Sequence, residues 1–182
     1  MQIPTYFANR AALLLSSDIC PSSSSPSLPP SSSFPSLSPV KFLDVAAGTG
    51  ALTLALMKAL DDSRLRHSEF TVTDFAQGMV EASRALIEST DFAAGRVDFQ
   101  VKDAQDLRYG DGSFTHIGCM FGIMFFADRS KGLREMHRVL QEEAGLAVIG
   151  RQAFLSSHHI TPSTTTAQYS TASRYKCFSV LS

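Results

Sequence analysis

The chain lacks an excess of charge of either sign: 16 lysines and arginines stand against 17 aspartates and glutamates, a formal net charge of −1 with the histidines neutral. Acids and bases are interspersed, so no basic face calls for nucleic acid or an anionic membrane as partner. Cysteine is scarce too, with Cys20, Cys119 and Cys177 far apart from one another. An odd and scattered set supports neither a disulfide framework nor a zinc site with paired ligands, and fits a reducing compartment. Long apolar runs are missing, and none approaches a membrane span. The stretch Ala11-Ala12-Leu13-Leu14-Leu15 after Arg10 is shorter than a secretory core and is closed by Asp18, and one arginine is little for a mitochondrial presequence. A cytoplasmic protein is expected, with a small molecule as its partner and neither nucleic acid nor membrane.

What is present suffices for one domain, with 182 residues of which 44% are hydrophobic. Its organising stretch is Lys41-Phe42-Leu43-Asp44-Val45-Ala46-Ala47-Gly48-Thr49-Gly50-Ala51-Leu52. This reads as a short apolar strand, a carboxylate, a loop of small residues and a helix from about Gly50 to Leu60. Small residues let the backbone turn sharply and let a ligand approach, while the free N–H groups at a helix start offer donors and a positive dipole end. A nucleotide-like ligand suits such a turn. Gly48-Thr49-Gly50 alone would equally serve any strand-to-helix connection. A dinucleotide site asks for Gly or Ala three residues after Gly50, where Thr53 stands, and it does not ask for Asp44.

Together these residues resemble the first motif of the class I S-adenosylmethionine-dependent methyltransferases: two apolar residues, an acid, an apolar residue, then Gly-x-Gly-x-Gly. Ala46 takes the place of the first glycine. The resemblance implies that Asp44, Ala46, Gly48 and Gly50 belong to a cofactor site. Next, Phe70-Thr71-Val72-Thr73 alternates as a strand ending at Asp74, about twenty to twenty-five residues beyond the glycine turn, the offset at which a second-strand acid reaches ribose hydroxyls. By resemblance Asp74 accepts from both hydroxyls while Phe75 and Met79 sandwich the adenine. A helix N-cap is the other reading of Asp74, and core filler the other reading of Met79. Val97-Asp98-Phe99-Gln100-Val101 is a third strand. After it, Asp103 and Ala104 match the family's third motif, in which an Asp accepts from the adenine amine and the next backbone N–H meets the ring; a solvated Asp opening a turn is the alternative.

A fourth strand is read from Phe114 to Met120, and Met120 is placed in the cofactor site. His116 lies near the strand's N-terminal end, the wrong edge of a parallel sheet for a general base. Thr115 replaces the family's usual Asp. Leu133, Met136, Val139 and Leu140 mark one face of a helix from Arg129 to Glu143, with Asp128 as N-cap and Gly145 as stop. Phe121-Gly122, Asp128-Arg129, Leu133-Arg134-Glu135 and Arg138-Val139-Leu140 closely resemble the methyltransferases that methylate a quinone-precursor ring. Leu146-Ala147-Val148-Ile149 is the fifth strand.

The expected fold is α/β, a Rossmann-like parallel sheet of the class I methyltransferase type occupying residues 40–150. Residues 1–20 form an N-terminal helix in which Phe7, Ala11, Leu14 and Leu15 share a face, either lidding a substrate pocket with Tyr6 and Phe7 or fraying. Residues 21–39 are too rich in serine and proline to order themselves. Residues 151–182 form an irregular tail in which only Cys177 to Leu181 hints at a strand. A regular sixth and seventh strand, the family's antiparallel pair, are therefore expected to be missing, leaving the fold incomplete at its C-terminal end. The adjacent His158-His159 are not a metal site, and no metal is expected. The resemblance implies S-adenosyl-L-methionine as cofactor and methyl transfer to a small-molecule acceptor, with no catalytic base identifiable. The alternative is a non-catalytic or truncated cofactor-binding protein without a complete substrate site.

Overall fold

A computed structural model describes residues 8–9, 11–13, 15, 39–91, 97–142, 145–150 and 177–181. Six strands form: β1 (Lys41–Val45), β2 (Glu69–Asp74), β3 (Val97–Val101), β4 (His116–Met120), β5 (Leu146–Gly150) and β6 (Cys177–Leu181). Between them lie α1 (Ala51–Ala59), α2 (Asp62–His67), α3 (Gln77–Glu88), a 3-10 turn at Ile123–Phe125 and α4 (Arg129–Val139). The sheet order is β3-β2-β1-β4-β5-β6, and every pairing is parallel. No helix among the described residues is long and apolar enough to cross a membrane.

A parallel sheet is covered on both faces, so its strands are apolar almost without interruption. β1, β4 and β5 show this, being buried along nearly their whole length. Successive side chains alternate between faces. Phe42, Phe70, Val72, Leu146 and Val148 therefore pack with Leu52, Leu56 and Met57 of α1 and Ile87 of α3. Leu43, Val45, Ile117, Ala147 and Ile149 pack on the other side with Met136 and Val139 of α4. Fully buried Phe42 and Phe70 each contribute about 1.5–3 kcal/mol by leaving water. Gly118 lets α1 come close to the sheet, since a Cβ there would run into Leu52 and Phe42.

Where they are described, the N-terminal residues are packed and not frayed; the lid reading turns on Tyr6 and Phe7, which lie outside the described residues. Residues 8–9, 11–13 and 15 are helical, and Ala8, Ala11, Ala12 and Leu15 are buried in the α1 side of the core. Tyr6, Phe7, Leu14, Cys20, residues 21–38 and the tail with His158-His159 lie outside the described residues.

Two expectations are corrected. The helix expected to reach Glu143 ends at Val139, because Leu140 turns to an extended conformation and pairs with Phe114. Gly112 N–H and Phe114 N–H donate to the Arg138 and Val139 carbonyls, so the helix's last acceptors are satisfied by a neighbouring segment instead of another turn. Gly145 is accordingly not the helix stop; its missing Cβ lets the backbone double back over the Gln141 carbonyl. The second difference is at the sheet edge. A regular sixth strand is present, and β6 runs parallel to β5 with Leu146 opposite Cys177 and Gly150 opposite Leu181. It is not part of an antiparallel pair among the described residues.

Candidate cofactor site

β1 and β4 are neighbours in the sheet although their connections leave in opposite directions, and in such α/β folds the crevice at the carboxyl ends of these strands is where ligands bind. A cavity of about 800 Å³ opens there. Asp44, Ala46, Gly48, Asp74, Phe75, Met79, Asp103, Ala104 and Met120 all line it. Gly50 does not. Its φ of 76° favours glycine, and a Cβ would come within 3.0 Å of Ser83 and 3.2 Å of Ile87, so this glycine serves the close packing of the α1 start against α3.

The loop after β1 is held in an uncommon backbone shape. Ala46 has a φ of 52°, a left-handed conformation that costs an L-residue roughly 1–2 kcal/mol. Ala47 N–H donates to the Thr73 carbonyl at 2.9 Å and Gly50 N–H to the Ala47 carbonyl at 2.9 Å, which pins the turn. Across the crevice Gly122 faces Ala46; a Cβ at Gly122 would run into the Ala46 methyl. Gly48, at a φ of 57°, has nothing within 4 Å of where a Cβ would be, so its face toward the cavity is open backbone.

The three acids differ in their partners. Asp44 is fully buried; its Oδ2 accepts from Thr53 N–H at 3.2 Å and Thr53 Oγ1 at 2.6 Å, whereas Oδ1 has no hydrogen-bond partner. Burial pushes its carboxyl up to about 7, against the Thr53 bonds and with a smaller contribution from the Asp74 charge. Asp74 stitches two loops together: Oδ2 accepts from Gly48 N–H and Oδ1 from Ala76 N–H, both at 2.9 Å. An ionised carboxylate has about four acceptor sites, so each oxygen retains one for a ligand. Asp74 is not the N-cap of α3, which is Ala76. Asp103 Oδ1 accepts from Gln105 N–H at 2.8 Å.

Apolar side chains line the rest of the cavity. Phe75 is 77% exposed, Met79 45% and Phe125 85%, an unusual amount of large apolar surface left open around one hollow. Phe121, Phe126 and Ala127 extend that wall. Lys102, Gln105, Phe125 and Phe126 were not assigned to the site from sequence, although the aromatic run after Phe121-Gly122 is visible there. His116 lies at the other end of β4, where its Nδ1 is 2.8 Å from Thr115 Oγ1, and does not line the cavity. Cys119 is pushed up to about 12, mainly by burial and then by the Asp44 charge, so it stays a thiol near neutral pH. No group of three or more His, Cys, Asp or Glu among the described residues is placed to hold a metal.

Comparison with known proteins bears on the family and the fold. A profile of the ubiE/COQ5 methyltransferase family matches residues 32–171. The ubiquinone/menaquinone biosynthesis C-methyltransferase UbiE of Geotalea daltonii is 35% identical over 109 residues, 60% of this chain and 44% of that protein. The chain thus spans less than half the length of the curated relatives it matches. Among solved structures, the Methanococcus maripaludis protein mmp1179, assigned as an S-adenosyl-L-methionine-dependent methyltransferase, has the same fold with a TM-score of 0.55 at 24% identity, covering 63% of this chain and 48% of its own. The [4+2]-cyclase SpnF follows with a TM-score of 0.51 at 26% identity, covering 59% and 37%.

Proposed function

Because the chain belongs to the ubiE/COQ5 methyltransferase family, we propose that it binds S-adenosyl-L-methionine in the cavity at the strand ends and transfers a methyl group to a small-molecule acceptor. The observation that carries this reading is the meeting of Asp44, Asp74 and Asp103, from the ends of β1, β2 and β3, around one hollow. The residues present fit such a cofactor. The orphaned Asp44 Oδ1 suits a cationic N–H donor, the open face of Gly48 accommodates close approach, Asp74 has acceptor capacity for a diol, and Phe75 and Met79 offer apolar surface to a flat base.

The bound cofactor would supply an electrophilic methyl group on a sulfonium. What the protein contributes is alignment: holding donor and acceptor together removes much of the entropic barrier, with no metal or covalent intermediate required. The wall formed by Phe121, Phe125 and Phe126 favours an apolar ring over a charged acceptor. The name of the Geotalea relative supports a quinone-type ring methylated at carbon. A cytoplasmic location without nucleic-acid partners belongs to the same proposal, supported by the balanced charge and scattered cysteines.

Calorimetric titration with S-adenosylhomocysteine and with NAD tests the cofactor. Heat from the first and none from the second is expected; heat from NAD alone would end the methyltransferase reading. Asp74→Ala is expected to weaken S-adenosylhomocysteine binding by about 1.5–3 kcal/mol, the scale of hydrogen bonds to a charged group. Transfer of a radiolabelled methyl group to quinone-like phenols tests the acceptor class.

A further inference from the structure

We propose that Gln105 is a positioning residue for cofactor binding, holding the Asp103 carboxylate in place and tying it to the opposite wall of the cavity at Asp128. This rests on the reading of the cavity as an S-adenosylmethionine site. Gln105 lines the cavity, yet both polar ends of its amide are engaged with protein. Its Oε1 accepts from Asp128 N–H at 2.7 Å, and its Nε2 donates to Asp103 Oδ1 at 3.1 Å. A backbone N–H only donates and a carboxylate only accepts, so one orientation of the amide satisfies both.

With the backbone N–H of Gln105 also on Oδ1, that oxygen takes two donors and Oδ2 is left for a ligand. Asp128 caps α4 by accepting from Lys131 N–H at 2.9 Å, and Phe125, Phe126 and Ala127 just before it form the apolar wall. Gln105 is therefore a strut between the β3 end, where the adenine is proposed to sit, and the wall proposed to face the acceptor. The charged groups on the elements that meet here are Lys102 and Asp103 after β3, the exposed pair Asp106 and Arg108 further along that loop, Asp128 at the α4 start with Arg134 of α4 paired to it, and Asp44 and Asp74, which also line the cavity.

Glutamate has the same shape as glutamine and sets up the test. Ionised, it keeps the Asp128 bond but confronts Asp103 with like charge; protonated, it again donates to Asp103 and accepts from Asp128 N–H. The parent chain, Q105E and Q105L are titrated with S-adenosylhomocysteine at about pH 8 and about pH 5.5, where a glutamate beside a carboxylate passes from ionised to largely protonated. Relative to the parent at the same pH, Q105E is expected to bind about 10-fold more weakly at the higher pH and within about 3-fold at the lower, as loss and recovery of a hydrogen bond to a charged group would give. Q105L is expected to bind weakly at both. Thermal melts of each variant monitor folding, and a purely structural role would lower affinity without a pH-dependent ratio. A ratio for Q105E that does not change with pH, or Q105L binding like the parent, overturns the role of Gln105. No binding by the parent protein would instead reject the cofactor reading itself.

Discussion

The side chain with the most to say is Asp44, a fully buried carboxylate with one satisfied oxygen and one orphan. Its folded-state carboxyl titrates near 7 against an ordinary 3.8, so between those values the folded protein holds more protons than the unfolded one. Stability from this group is full below about pH 4 and declines as pH rises through 7, by about 4 kcal/mol at most. Urea unfolding from about pH 5 to 8 should show that decline in the parent and a flatter profile in Asp44→Asn; parallel profiles would remove Asp44 as its source. Asp44, Asp74 and Asp103 are legible in sequence because each stands at or just beyond a short strand in a position that the resemblance to the methyltransferase motifs marks, Asp74 also by its offset from the glycine turn. Gly50 looked the same in sequence as Gly48. Only the passage of Ser83 and Ile87 behind it distinguishes a glycine needed for packing from one open to the cavity. Gln105 was missed because its role depends on Asp128, more than twenty positions away.

At the level of elements, the loop after β3 is fastened to α4 by one arginine. Arg138 donates from Nε and Nη2 to the two Glu135 carboxylate oxygens at 2.8 and 2.9 Å, and from Nη1 to the Tyr109 carbonyl and Asp111 Oδ1, both at 2.7 Å. Glu135 in turn accepts from Leu107 N–H at 3.0 Å, and its bonds with Arg138 hold its carboxyl below the usual range. Lysine cannot reproduce a forked contact. Arg138→Lys is expected to lower unfolding free energy by about 1–2 kcal/mol and Arg138→Met by about 2–3 kcal/mol, with faster proteolysis within residues 107–113. Unchanged urea midpoints and cleavage rates would show the fork to be without consequence. The same region explains why the apolar spacing overstates the length of the helix. The apolar spacing of Leu133, Met136, Val139 and Leu140 is as good for a helix as any, but Leu140 is buried through a bridge to Phe114 that no helical period reveals.

For the whole molecule, the sheet type and the place of the cavity at the strand ends follow from the order of strands and helices in the sequence. The far edge follows only as a hint, in the stretch Cys177 to Leu181. Residues after Gly150 carry little periodicity, yet Cys177–Leu181 returns to lie along β5 and supplies the backbone partners that its edge would otherwise present to solvent. Pairing of this kind depends on main-chain groups, which leave a weaker imprint on composition than an apolar face does. Deleting residues 177–182 is expected to cost about 2–4 kcal/mol, from lost ladder hydrogen bonds and newly exposed β5, and to promote concentration-dependent association. Chemical unfolding and sedimentation of the shortened protein would test it; unaltered stability together with a monomeric profile would show that β6 protects nothing.

Ala46 and Gly122 meet across the crevice with space for a single methyl between them, and that space is given to residue 46. The two loops consequently form one interlocked surface: a bulkier group on either side must be matched by trimming the other. A side chain at residue 122 is thus shut out for as long as residue 46 keeps its methyl, and a glycine at 46 would leave a small void where that methyl had been.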